Sequence, residues 1–187
     1  VQSFNAGMIL ILAPVFSFLW AVLGRLNMDP NPALKFGVAL LQAGAGFYVL
    51  VWGASFVDDS IRVPLFVLAL TYLLHTTGEL CLSPVGLSQM TKLAPSVLIS
   101  TVMATWFLAS SVAHILAGLL AKMTATTTVA GQVLDPAKAF ANYMATFEFI
   151  GQIGLAAGAV LIVLSPVLRY LAHDRTLPAK RTLPPNR

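Results

Sequence analysis

Charge is nearly absent from five long stretches of this chain, and that restricts its fold more than any other feature. Residues 1–24, 36–57, 93–121 and 149–168 contain no Asp, Glu, Lys or Arg, and residues 63–91 contain only Glu79. A helix crosses the hydrocarbon core of a bilayer in about 20 residues. Backbone N–H and C=O groups cannot go unpaired in lipid, so apolar runs of this length must be helical. The sequence therefore predicts five transmembrane helices, at 4–24, 34–57, 63–91, 95–121 and 140–169. A soluble domain carries about a quarter charged residues; here the share is 10%, with 58% hydrophobic. The expected class is an all-α membrane protein.

The connections are short or polar. "RLNMDPNPALK" (25–35) holds two prolines and leaves little room for structure, and "VDDSIRVP" (57–64) separates the second and third spans. Pro95 is expected to open the fourth helix, where its missing N–H is harmless. "KMTATTTVAGQVLDPAK" (122–138) is a Thr-rich link, and the tail 171–187 is basic, Pro-rich and expected to be disordered. Residues 1–170 then form the transmembrane unit. Lys and Arg orient it. With a cytoplasmic C-terminus, eight basic residues (Arg25, Lys35, Lys92, Arg169, Arg175, Lys180, Arg181 and Arg187) lie inside and three (Arg62, Lys122 and Lys138) outside. The net charge of +4 is thus read as loops facing the cytoplasm and anionic lipid, not nucleic acid. The first run lacks a basic flank and a cleavage site, so it is not a signal peptide. A start at Val1 suggests an internal or C-terminal piece of a longer protein, and the lone Cys81 allows no disulfide.

Polar residues inside the spans carry the functional signal. Glu79 lies 16 residues past Val63, roughly 24 Å along a helix and near mid-membrane. A charge there costs about 2.5–3.5 kcal/mol on insertion scales, so a carboxyl group at that depth is expected to serve a proton or a substrate ammonium. His75 and Ser83 lie one turn to either side and share its face. His75 either tunes a proton or is satisfied by a backbone carbonyl. Pro84, beside Ser83, and Pro14, mid-way along the first span, are candidate bends. On the fourth helix Trp106, Ser110 and His114 recur every four residues as a polar and aromatic stripe suited to an interior, partly wet position. Asn5 is a helix cap or a site residue. Glu148, near Asn142 and Gln152, reads as structural. Gly154 and Gly158 form a GxxxG spacing for close helix contact, read as generic packing. An intramembrane hydrolase is disfavoured. His75, Glu79 and Ser83 stack on one helix and cannot converge on a carbonyl, and neither G-x-S-x-G nor H-E-x-x-H occurs. A passive structural subunit would leave Glu79 unexplained.

"GELCLSPVGLSQMTKLAP" (78–95) resembles the tenth-helix signature of the proton-dependent oligopeptide transporters, a branch of the major facilitator superfamily. "FNAGMILILAPVFSFLW" (4–20) is similar to that family's eighth helix and "MATWFLASSVAHILAGLL" (103–120) to its eleventh. The resemblance implies that the five helices are the eighth to twelfth of twelve, an incomplete C-terminal half of a major facilitator fold in a cytoplasmic (inner) membrane. It also implies that Glu79 meets a peptide's amino terminus, that Asn5 assists at that end, and that Trp106 and Ser110 line a side-chain pocket. The implied partners are short peptides, protons, the lipid bilayer and the missing N-terminal half of the same chain. No cofactor is implied beyond the proton as coupling ion. His75 is not part of the signature, and its proton-coupling role rests on position alone. Another substrate on the same scaffold, an amino acid, an anion or a drug-like molecule, is the alternative.

Overall fold

A computed structural model describes residues 2–26, 28–57, 63–124, 128–129, 132–133 and 135–173. Five helices, α1 (Gln2–Arg25), α2 (Pro32–Gly53), α3 (Leu65–Leu93), α4 (Ile99–Met123) and α5 (Pro136–His173), are each long and apolar enough to cross a membrane. The expected spans are all present, with shifted ends. Pro95 does not open α4: Ser96–Leu98 form a 3₁₀ turn closed by Leu98 N–H on the Pro95 carbonyl at 2.8 Å, and the α-helix starts at Ile99. The link before α5 contains a two-residue hairpin, β1 (Thr128–Val129) against β2 (Gln132–Val133), that the sequence did not suggest. Helix α5 runs through Pro166 and on to His173, so residues 171–173 of the expected tail are helical. The rest of that tail lies outside the described residues.

Proline does not break these spans. Helices α1 and α3 continue through Pro14 and Pro84. A proline lacks the N–H that would reach four residues back, so the Leu10 and Leu80 carbonyls lose their helical partners. Asn31 opens α2: its Oδ1 accepts from Leu34 N–H at 2.7 Å and its Nδ2 donates to the Ser165 carbonyl at 3.2 Å, joining α2 to α5.

The core is α2 packed between α5 and α3. Lipid supplies no hydrophobic drive for helix association, so close van der Waals approach has to do it, and small residues permit that approach. A Cβ added at Gly44 would lie 2.7 Å from the Leu155 nitrogen and 2.9 Å from the Gly151 carbonyl. One added at Gly158 would lie 2.8 Å from the Gly37 carbonyl and from the Leu41 nitrogen. The Gly154–Gly158 spacing therefore belongs to a backbone-to-backbone seam between α2 and α5. On the other side of α2, Gly78 of α3 meets the Ala39 carbonyl, where an added Cβ would sit at 2.9 Å. The buried Thr71 hydroxyl is shared between the Val67 carbonyl (3.0 Å) and the Gly46 carbonyl of α2 (3.3 Å).

Helices α1 and α4 sit differently. None of their described side chains is buried, and large apolar groups such as Leu10, Ile11, Phe18, Leu108 and Ile115 stand open. Helix α1 is held at two points: near its start against α3, and near its end at a corner with α2. At that corner Lys35, 8% exposed, pairs with Asp29 at 2.7 Å and lies 4.2 Å over the Trp20 ring.

Candidate functional site

The site is built on α3, whose central turns alternate between core contacts and an open face. At 100° per residue, Thr76, Glu79 and Gly86 fall within about 80° of one another. Glu79 is exposed. The only ion pair among the described residues joins Lys35 to Asp29, so Glu79 has no cationic partner there. Thr76, three residues before it, is fully buried and donates its hydroxyl to Asn5 Oδ1 of α1 at 2.6 Å. Phe4 packs edge-on against Tyr72 one turn earlier, with ring centroids 5.8 Å apart. Gly86, two turns after Glu79, receives the half-buried Trp106 indole of α4 in the space a Cβ would fill. Glu79 is thus bracketed along α3 by the anchor points of α1 and α4.

Asn5 is not a plain helix cap. It lies inside the first turn of α1 and reaches across to α3. Ser110, one turn along α4 from Trp106, is exposed and returns its hydroxyl to the Trp106 carbonyl at 3.2 Å. Helix α4 runs antiparallel to α3, so that step moves Ser110 by about 6 Å toward the height of Glu79. His114, the last member of the stripe, is exposed.

The face shared by His75, Glu79 and Ser83 divides. The half-buried His75 ring turns into α2, with Nε2 3.1 Å from the Ala43 carbonyl, the Phe47 ring 4.8 Å away, and the Gly46 Cα side directly beneath. A carbonyl oxygen only accepts, so Nε2 carries the proton and donates it there. Glu148 is exposed and takes a long 3.4 Å bond from Gln152 within α5, with no tie to the α3 site. Asn142 offers its backbone carbonyl to Thr146 at 2.8 Å.

Residues 1–144 match the sequence profile of the POT family, PTR2. The chain belongs to the POT family. Its structure is similar to a POT peptide transporter solved in complex with alafosfalin, with TM-score 0.74 and 35% identity over 91% of this chain and 32% of that one. Among relatives, the peptide transporter YePEPT of Yersinia enterocolitica is 45% identical over 122 residues, 64% of this chain and 24% of its own length. The di-/tripeptide transporter of Lactococcus lactis is 31% identical over 175 residues, 93% of this chain and 32% of its own. The POT-family chain thus spans about a third or less of the length of the curated relatives it matches. Its fold is that of the POT transporters, a major facilitator fold, of which it holds five helices in an integral multi-pass arrangement.

Sequence reasoning missed two residues that hold this candidate site together: Thr76, bonded to Asn5, and Gly86, which seats Trp106. The first left a trace in "HTTGE" (75–79), a buried threonine one turn from the acid. The second left none, because a glycine in a span reads the same whether it seats a ring, a helix or nothing.

Proposed function

We propose that the full-length protein imports di- and tripeptides across a cytoplasmic (inner) membrane by proton-coupled alternating access, with its C-terminus in the cytoplasm. One observation carries this reading: a mid-span carboxyl group, Glu79, stands on an open face of α3 between an amide on α1 and an indole on α4. An ionisable group at that depth faces a bundle interior or a water-filled cavity, since facing lipid is too costly. The rest of the protein supplies the opposite wall. Relatives named as peptide transporters and as dipeptide and tripeptide permeases support the substrate class. Deprotonated, Glu79 offers its charge to the peptide ammonium, and Asn5 adds an acceptor beside it. Protonation removes the charge and the hold. Trp106 and Ser110 line the space for a substrate side chain. Pro14 and Pro84, each removing one helical hydrogen bond, are where α1 and α3 yield as the two halves rock. The α1–α2 corner, with Lys35 locked to Asp29, lies at the cytoplasmic end.

The His75 Nε2, 3.1 Å from the Ala43 carbonyl, supports a packing role for this ring over the proton-coupling role that its position suggests. The test is uptake into proteoliposomes holding the full-length protein. An imposed inward proton gradient should drive labelled dipeptide accumulation, di- and tripeptides should compete, and free amino acids and nitrate should not. Competition by nitrate or amino acids alone would transfer the scaffold to another substrate. Turnover in detergent without a gradient would make it an enzyme.

A further inference from the structure

Thr76 uses its hydroxyl differently from most of the helical threonines. Inside a helix a threonine commonly donates to the carbonyl three or four residues back. Thr71, Thr77, Thr91, Thr105 and Thr146 all do so. Thr76, 0% exposed, instead sends its hydroxyl proton to a side chain on another helix, Asn5 Oδ1, at 2.6 Å. A threonine hydroxyl both donates and accepts, so what it fixes is the place of the amide on the helix, and in the arrangement seen here Oδ1 is the end it holds. With Oδ1 held against α3, one turn from Glu79, the second Oδ1 lone pair and the Glu79 carboxylate are two acceptors suited to one ammonium.

We propose that Thr76 is a positioning residue for the amino end of the substrate: its buried hydroxyl ties the Asn5 carboxamide to α3, one turn from Glu79. The proposal rests on the peptide-transport reading and sharpens it, since it assigns the placement of one amide to one buried hydroxyl. Thr76 touches no substrate and acts only through Asn5.

The experiment measures dipeptide uptake by the full-length protein with Thr76→Val, Thr76→Ser, Asn5→Ala and the Thr76→Val/Asn5→Ala double variant. Valine keeps the shape and removes the hydroxyl. Thr76→Val is expected to raise the KM for a dipeptide about tenfold, the size of one charge-assisted hydrogen bond, with the maximal rate per inserted protein nearly unchanged. Thr76→Ser should restore the KM, and Thr76→Val should add nothing in the Asn5→Ala background. A des-amino dipeptide analogue, which lacks the ammonium, should bind wild type and Thr76→Val equally. A wild-type KM for Thr76→Val, an additive loss in the double variant, or an equal loss for the des-amino analogue would overturn the proposal. If the unsubstituted protein takes up dipeptide and Thr76→Val matches it, the proposal alone falls. If the unsubstituted protein takes up none, the substrate reading falls and the proposal with it.

Discussion

At the scale of single residues, position on a helix and use of a side chain come apart. His75 and Glu79 are one turn apart on α3 and read alike in sequence, as polar groups in a run of oil. In the structure the imidazole is enclosed by α2, donating to the Ala43 carbonyl, while the carboxyl group stands open. His75→Gln keeps a donor within reach of that carbonyl and loses the ring contact with Phe47. It should lower thermal stability by roughly 1–2 kcal/mol, the worth of an aromatic pair and some packing, and leave the pH profile of dipeptide uptake where it was. A shifted profile would return His75 to the proton pathway. Thr76 shows the converse: the sequence gives it no distinction from Thr77, and only the neighbouring helix decides that one hydroxyl crosses to Asn5 while the other turns back on its own carbonyls.

At the scale of elements, the helices themselves were legible because charge-free runs in lipid have one outcome, and their ends were less so. The 3₁₀ turn at Ser96–Leu98 and the length of α5 past Pro166 depend on local backbone pairing that hydropathy does not encode. Helix pairing was hidden for a further reason. Gly154 and Gly158 announced a close approach, but nothing in α5 names α2, or Gly37 and Gly44, as the partner. That seam makes a sharp prediction. Gly44→Leu forces a side chain against the Leu155 nitrogen and the Gly151 carbonyl, and backbone cannot step aside. It should destabilise the bundle by about 3 kcal/mol or more, read as a lowered Tm in detergent. Gly118→Ala, where an added Cβ meets nothing within 4 Å, should stay within about 1 kcal/mol of the parent.

At the scale of the whole molecule, five helices give a rigid centre, α2 with α3 and α5, and two outliers attached at points. The outliers carry most of the proposed site: Asn5 on α1, Trp106 and Ser110 on α4, with Glu79 on the α3 face between them. In the proposed transport cycle, the walls tilt while the carboxyl group stays on the packed core. Lipid can cover the open apolar faces of α1 and α4 but not an open acid, and the relatives are about three times as long as this chain. The central claim is that Glu79 holds the substrate's charge and gives it up on protonation. Its most direct measurement is gradient-driven dipeptide uptake by full-length protein carrying Glu79→Gln, beside wild type at equal membrane insertion. The account predicts that accumulation against a concentration gradient is lost in the variant. Wild-type accumulation by Glu79→Gln would contradict it.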